Sequence, residues 1–345
     1  MDELKLLHSR HAKFFQRTLA VLPSSCQHLD TQRVTIAFFA ISGLDLLDKL
    51  ELVGEVRGEM VEWLYKCLVI SDLDQSRHWS GFRGATSLKL SSDCDLAPSH
   101  AHDHGHIAMT YTALASLLVL GDDLARVDRA AVLSGVRALQ LQNGSFRAAL
   151  EGGENDMRFL YCAASICYML DDWSGMNTES ALQYVISSIS YEGGVGQGPG
   201  LEAHGGSTYC AVAALSMMNR LQDLGDKRLE NMTRWCIMRQ EGGFCGRPNK
   251  PEDTCYSFWV GATLSILDKL GLTDTGASRQ FVLSTQDAVT GGLAKWVDTS
   301  PDSLHTYLGL SGLGLQGEEG VASVHAGLNI SVRAKQWLEQ VQSSW

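Results

Sequence analysis

A glycine turn that returns about every fifty residues constrains this chain more than any other feature. It occurs as "QNGSF" at Gly144, "EGGVG" at Gly194, "EGGFC" at Gly243 and "TGGLA" at Gly292, in steps of 50, 49 and 49 residues. Fifteen residues beyond each glycine stand Phe159, Tyr209, Phe258 and Tyr307; nineteen beyond stand Ala163, Ala213, Ala262 and Ser311. An aromatic and a small residue four apart share one helix face. Each repeat therefore reads as a turn, a loop and an apolar helix rich in small residues. A more amphipathic helix, for example "DDWSGMNTESALQYVISSIS", leads to the next turn. Two weaker copies stand upstream: "VTIAFFAISGL" aligns with "LHTYLGLSGLG", and "HIAMTYTALASL" with "MRFLYCAASICY". Repetition at this period marks a repeat architecture, and strand signals are sparse. The expectation is an all-α fold, an α/α barrel of six helical hairpins with an inner and an outer ring. An open helical solenoid is the competing arrangement. Polar groups recurring at the starts of the apolar helices favour the closed barrel, because only there do they converge on one mouth. Residues 1–345 are expected to form one domain, with residues 1–30 as a helical lead-in.

The net charge of −11 argues against non-specific nucleic-acid binding and makes any basic cluster stand out. Nine cysteines without regular pairing, and an N-terminus "MDELKLLHSRHAKFF" lacking a signal peptide's apolar core, point to a reduced, cytoplasmic protein. No stretch approaches the run of about 18 apolar residues that a transmembrane helix needs.

The repeat register also localises chemistry. Ten residues after the glycines come Glu154, His204, Asp253 and Asp302, followed closely by Cys255, Tyr256, His305 and Arg158. All occupy the first turn or so of an apolar helix, so in a ring they face one another. Asp253, Cys255 and His305 make a three-ligand zinc set with one position open, the catalytic arrangement. A capping Asp and a buried Cys are the alternative. The dipole at the helix start is expected to favour the Cys255 thiolate. Arg247, Lys250, His204, Tyr256 and Lys295 surround the same mouth and suit an anion with several oxygens, such as a diphosphate. Surface bases paired with Glu252 and Glu241 are the alternative. Below lie Phe38, Phe39, Phe159, Tyr161, Tyr209, Phe258, Trp259 and Tyr307, as the lining of a lipid cavity or simply as core. The run "HAHDHGH" places histidines at 100, 102, 104 and 106; it reads as a surface loop, except that His106 opens a helix and faces the mouth.

The segments "TIAFFAISGLDLLD", "GHIAMTYTALASLLVLGDDL", "ENDMRFLYCAASICYML", "LEAHGGSTYC", "WCIMRQ" and "GRPNKPEDTCYSFWVGATL" closely resemble β subunits of the protein prenyltransferase family, and within it the type I geranylgeranyl branch. The resemblance covers nearly the whole chain. It implies an α/α barrel that works as an obligate heterodimer with a helical-repeat α subunit. The implied reaction moves a twenty-carbon geranylgeranyl group from geranylgeranyl diphosphate to the Cys of a C-terminal CaaX motif, X typically Leu, on proteins such as Rho/Rac/Rap-type small GTPases. It also implies one catalytic zinc on Asp253, Cys255 and His305, and diphosphate contacts from His204, Arg247, Lys250 and Tyr256. Arg158, Tyr161 and Trp259 match positions lining the lipid and peptide cavity; Thr35, Phe39, His106 and Leu304 match positions near the peptide tail. Where the farnesyl relative has a bulky Trp, this chain has Thr35, which leaves room for a fourth isoprene unit. Where that relative has an Asp used with magnesium, this chain has Lys295, so magnesium is expected not to be required. The segment from Ser71 to His104 diverges from the family, "LQGEEGVASVHAGLN" is only partly similar, and a longer polar tail than "QWLEQVQSSW" is expected. The other readings are a farnesyltransferase-like subunit, a non-catalytic lipid-binding barrel, and a zinc hydrolase. The last would need a general base beside the open zinc position.

Overall fold

The computed structural model describes residues 4–70, 80–88, 104–151 and 153–345. Among them stand thirteen α-helices: α1 (His8–Ala20), α2 (Arg33–Leu46), α3 (Arg57–Lys66), α4 (Ile107–Val119), α5 (Arg129–Ala138), α6 (Met157–Met169), α7 (Thr178–Ser188), α8 (Gly205–Met217), α9 (Asp226–Ile237), α10 (Tyr256–Ile266), α11 (Thr275–Ser284), α12 (Ser303–Leu315) and α13 (Val332–Ser343). The apolar helices of the repeats are α2, α4, α6, α8, α10 and α12. They are apolar all round because they are covered all round: every residue of α4 except Ala108 is buried. The other kind is one-sided: α9, "DKRLENMTRWCI", buries only Met232, Trp235 and Cys236, which share one face.

Each apolar helix packs against the next, and α12 returns to pack against α2. The inner ring is therefore closed, and the open solenoid is excluded. A repeated hydrogen bond levels the helix starts. The N–H of Val34 donates to Gly84 O, Ile107 to Ala148 O, Met157 to Gln197 O, Gly205 to Gly246 O and Thr254 to Lys295 O, at 2.9–3.0 Å. Each donor lies in the first turn of an inner helix or, for Thr254, just before its cap, where amides lack an intrahelical partner, and from Ile107 onward each acceptor lies in the loop that leads to the next inner helix. All six helices stop alike. Two residues past the last helical one stands Asp48, Gly121, Asp171, Asn219, Asp268 or Gly317, each in the left-handed region that these residue types tolerate.

The repeat glycines mark where the two rings touch. A Cβ at Gly144 would lie 2.0 Å from Ser180 O, at Gly194 2.6 Å from the Trp235 ring, and at Gly243 2.4 Å from Phe281. These neighbours belong to α7, α9 and α11, the next outer helix in each case. Gly292 repeats the arrangement against Phe14 of α1, 3.0 Å away. Helix α1 thus takes an outer place beside α12 and α2, and the outer ring is α1, α3, α5, α7, α9 and α11. His11 fastens it: Nδ1 accepts from Gly292 N (2.9 Å) and Nε2 meets Gln286 Oε1 (3.0 Å). Helix α13 belongs to neither ring. It crosses the far end, where Trp337 Nε1 donates to Asp122 O (2.9 Å) and Gln342 Nε2 to Tyr168 O (2.7 Å).

One aromatic from each inner helix closes the lumen: Phe38, Tyr111, Tyr161, Tyr209, Phe258 and Tyr307, all buried. Five neighbouring pairs, from Tyr307 through Phe38, Tyr111, Tyr161 and Tyr209 to Phe258, have ring centroids 5.0–5.8 Å apart, in tilted and edge-on contacts that add about 0.5–1.5 kcal/mol per pair beyond buried area. Hydroxyls point away from the mouth: Tyr111 donates to Leu328 O (2.8 Å), Tyr209 to Ala326 O (2.8 Å) and Tyr307 to Asn329 O (2.5 Å). Several aromatics that the sequence offered as cavity lining are therefore a packed floor, sealed below by residues 326–329. Among the described residues no helix is long and apolar enough to cross a membrane.

Candidate active site

At the mouth, one ligand atom each from Asp253, Cys255 and His305 lies within 4.8 Å of the others. Asp253 and Cys255 come from the turn before α10. There Asp253 Oδ1 accepts the N–H of Cys255 (3.0 Å), and Cys255 is itself the N-cap residue of α10. His305 sits in the first turn of α12. Asp302 caps that helix by accepting His305 N (2.9 Å), and its second oxygen holds His305 Nδ1 at 2.6 Å. This leaves Nε2 facing Asp253 Oδ1 at 3.3 Å. Among the described residues no other cluster of this kind occurs.

The electrostatics differ from the sequence expectation at Cys255. Burial, then the adjacent Asp253 carboxylate, push the thiol well above its ordinary range, outweighing the helix start. Burial also works against charge on Asp253, but hydrogen bonds from His305 and Cys255 hold its carboxyl below the usual value. On His305 burial is likewise overcome, by Asp253 and Asp302, and the imidazole rises to about 9. A carboxylate, an imidazole and a thiol converging in a buried corner form a donor set that fits zinc. A divalent cation there would reverse the thiol's preference, because coordination favours the thiolate.

Beside this set, Arg247, Lys250, Asp253, Tyr256, Lys295 and Trp296 line a cavity of about 290 Å³. His204 caps α8, with Nδ1 accepting from Gly206 N (3.0 Å) and Nε2 meeting the Tyr256 hydroxyl at 2.9 Å. Lys295 Nζ lies 3.7 Å from Asp253 Oδ2. Arg247 pairs with Glu202 (3.0 Å) rather than with Glu252 or Glu241. Glu252, next to Asp253 in sequence, is turned away: its Oε1 accepts from Gly242 N (2.6 Å) and Gly243 N (2.5 Å). That carboxylate is not placed as the general base a hydrolase would need.

The remaining sequence candidates spread around the ring. Thr35, in the first turn of α2, contacts Met109 Sδ (3.3 Å) and Thr112 Oγ1 (3.4 Å) of α4. Phe39 stacks at a tilt on Tyr307 (5.9 Å), and Leu304 stands in the first turn of α12. His106 caps α4 through Nδ1 (3.2 Å), and burial pushes its pKa down to about 4, so it is neutral. Arg158 opens α6, chelated by the Asp156 carboxylate (3.1 and 2.6 Å) and paired with Glu154. Tyr161 belongs to the floor, bonded to Tyr111 and Tyr209 (3.1 Å each). Trp259 packs on Tyr209 at 5.1 Å. Of the histidine run, His100 and His102 lie outside the described residues, and His104 Nδ1 meets Gly105 O of its own loop (3.2 Å).

The prenyltransferase α-α toroid domain matches residues 6–330. The chain is 38% identical over 343 residues to the geranylgeranyl transferase type-1 subunit beta of Dictyostelium discoideum, covering 96% of this chain and 97% of that protein. The chain belongs to the prenyltransferase α-α toroid family. The Arabidopsis thaliana geranylgeranyl transferase type-1 subunit beta is also 38% identical, over 94% of this chain and 89% of that one. In solved structures, the fold matches Candida albicans protein geranylgeranyltransferase-I complexed with GGPP, with a TM-score of 0.86, 25% identity, and coverage of 98% and 99%.

Two residues of this prenyltransferase-family site escaped the sequence reading in their roles. Asp302 entered the register only as a polar position, yet it orients His305. Asp156 was not singled out, yet it caps α6 and fixes Arg158. The signal for both was a capping Asp followed two or three residues later by a cationic or imidazole side chain within reach of the same carboxylate.

Proposed function

We propose that this chain is the catalytic β subunit of a zinc-dependent protein geranylgeranyltransferase. In this reading it transfers the C20 group of geranylgeranyl diphosphate to the Cys of C-terminal CaaX motifs, X typically Leu, on proteins such as Rho/Rac/Rap-type small GTPases. It works in the cytoplasm as an obligate heterodimer with a prenyltransferase α subunit. Residues 1–345 are one domain, in which the segment 1–30 contributes the outer-ring helix α1. The observation that carries the reading is the buried Asp253, Cys255 and His305 set opening beside the cavity of Arg247, Lys250, Tyr256 and Lys295.

A zinc ion held by Asp253, Cys255 and His305 would accept the substrate's sulfur and favour its thiolate, whereas a free Cys, with pKa about 8.5, is mostly protonated at neutral pH. The chain's own work lies around that event. Asp302 keeps His305 in the tautomer that presents Nε2. Arg247, Lys250, His204 and Tyr256 hold the diphosphate at the lip, so that the lipid's first carbon faces the incoming sulfur. As the carbon–oxygen bond breaks, charge grows on the diphosphate, and Lys295 supplies permanent positive charge there. That is why no magnesium is required. The lipid lies along Arg158 and Trp259 and over the Tyr161 ring of the floor, and Thr35, Phe39, His106 and Leu304 shape the space for its end and for the peptide tail. Its burial contributes about 0.8 kcal/mol per methylene.

The test is a competition between geranylgeranyl and farnesyl diphosphate for transfer to a Leu-terminated CaaX peptide, by this chain co-expressed with an α subunit. The reading requires the C20 product to dominate. Dominance of the C15 product makes the chain a farnesyltransferase-like subunit, and absence of both products makes it a binding barrel.

A further inference from the structure

Trp296 is a large side chain that the site has not yet used. It follows Lys295 and is 38% exposed, which is high for an indole. It forms the apolar wall of a cavity otherwise lined mainly by charged and polar groups. Its ring meets the Lys295 ammonium, with Nζ 4.4 Å from the centroid. The backbone beneath is fixed from both sides: Lys295 O accepts from Thr254 N (2.9 Å) and Thr254 Oγ1 (3.1 Å), and Trp296 O accepts from Thr299 Oγ1 (2.8 Å).

Among the described residues its one charged neighbour is Asp253, with Oδ2 at 3.7 Å, which is too long for a hydrogen bond. Asp253 is also committed elsewhere, to His305 and to the amide of Cys255. A carboxylate that binds a cation has less charge left for a neighbouring lysine. A lysine on a flexible stem, with its anionic partner engaged, would then sweep a wide range of rotamers. The indole face is the contact that stays. Cation–π attraction costs the ammonium no counter-charge, so its full positive charge remains for an anion.

We propose that Trp296 is a positioning residue for Lys295: its ring holds the ammonium at the lip, poised for the diphosphate as it leaves. The proposal rests on the role given to Lys295 above.

The experiment uses the chain co-expressed with its α subunit and saturated with zinc. Lipid diphosphate affinity and the single-turnover transfer rate are measured separately for wild type, Trp296→Leu, Trp296→Phe, Lys295→Ala and the Trp296→Leu/Lys295→Ala double variant. Trp296→Leu is expected to slow the chemical step by roughly threefold to thirtyfold, with a smaller change in lipid affinity. Trp296→Phe, which keeps a ring, should recover most of the loss. In the double variant, Trp296→Leu should add nothing to Lys295→Ala, because a ring without an ammonium has nothing to position. If Lys295→Ala is slow but Trp296→Leu is not, or if the two losses multiply, the positioning role is wrong while that of Lys295 stands. An equal loss of lipid affinity on both backgrounds makes Trp296 a lipid or subunit contact, which also overturns the proposal. If Lys295→Ala keeps the wild-type rate, both readings fall.

Discussion

The mouth and the floor of this barrel are built from the same repeat, only a few residues apart in register, yet they treat repetition in opposite ways. At the floor every inner helix contributes the same kind of residue: Phe38, Tyr111, Tyr161, Tyr209, Phe258 and Tyr307. At the mouth the repeats diverge: α4 and α8 both begin with a capping histidine, His106 and His204, but the others contribute Arg158 with Asp156, Asp253 with Cys255, and His305 with Asp302. The floor solves one packing problem six times. The mouth needs a donor set, and a donor set cannot be made from six copies of one side chain. Within a single repeat protein, sameness across repeats therefore marks structure, and departure from sameness at a fixed level marks chemistry.

The strongest way to break this comparison is to remove a ligand at the mouth. Cys255→Ala or His305→Ala should lose bound zinc and more than about a hundredfold in transfer, exceeding the 10–100-fold typical of an outer-shell change. Lipid diphosphate should still bind, since the proposed lipid site uses the cavity wall and basic lip and not the metal. Asp302→Ala tests the outer shell itself and should weaken zinc by about 10–100-fold with His305 still present. Metal content after dialysis reads both. Zinc retained at wild-type level in Cys255→Ala would remove that residue from the ligand set.

Thr35→Trp sharpens the comparison at its border. The indole would intrude on the space beside Met109 and Thr112. Overpacking of about 1–3 kcal/mol corresponds to roughly 5- to 140-fold against the longer lipid. The variant should shift toward the fifteen-carbon donor in the same competition assay, and an unchanged ratio would place the lipid's end elsewhere.

The smallest effect is expected at the floor. Tyr209→Phe keeps the ring but removes the hydroxyl that reaches Ala326 O and Tyr161 (2.8 and 3.1 Å). It should cost about 1–3 kcal/mol of stability in denaturant unfolding, with zinc content unchanged. A loss of zinc in this variant would show that floor and mouth are not independent.

Much of this was legible in the sequence because the repeat supplies its own internal alignment. The four later inner helices and the shared level of Asp253, Cys255 and His305 follow from counting outward from the glycines, whereas reading those three as one ligand set rests on the family resemblance. Other features were not, and the reasons are physical. The outer place of α1 depends on Phe14 meeting Gly292 across nearly the whole chain length, and no local pattern records such a closure. The floor was readable only as aromatic. That its hydroxyls seal residues 326–329 is fixed by ring packing and by backbone carbonyls, which carry no sequence signature. At Cys255 the helix start is a local signal, whereas the burial and the Asp253 carboxylate that outweigh it come from the assembled mouth.

The central claim is that the mouth supplies its own positive charge and needs only zinc. Its most direct test is single-turnover transfer from geranylgeranyl diphosphate to a Leu-terminated CaaX peptide, by this chain with its α subunit in magnesium-free buffer. The rate is measured before chelation, after zinc removal, and after zinc is restored alone. The account predicts full transfer without magnesium, loss on zinc removal and recovery with zinc alone. Transfer that survives zinc removal, or a wild-type rate strongly raised by millimolar magnesium, would contradict it.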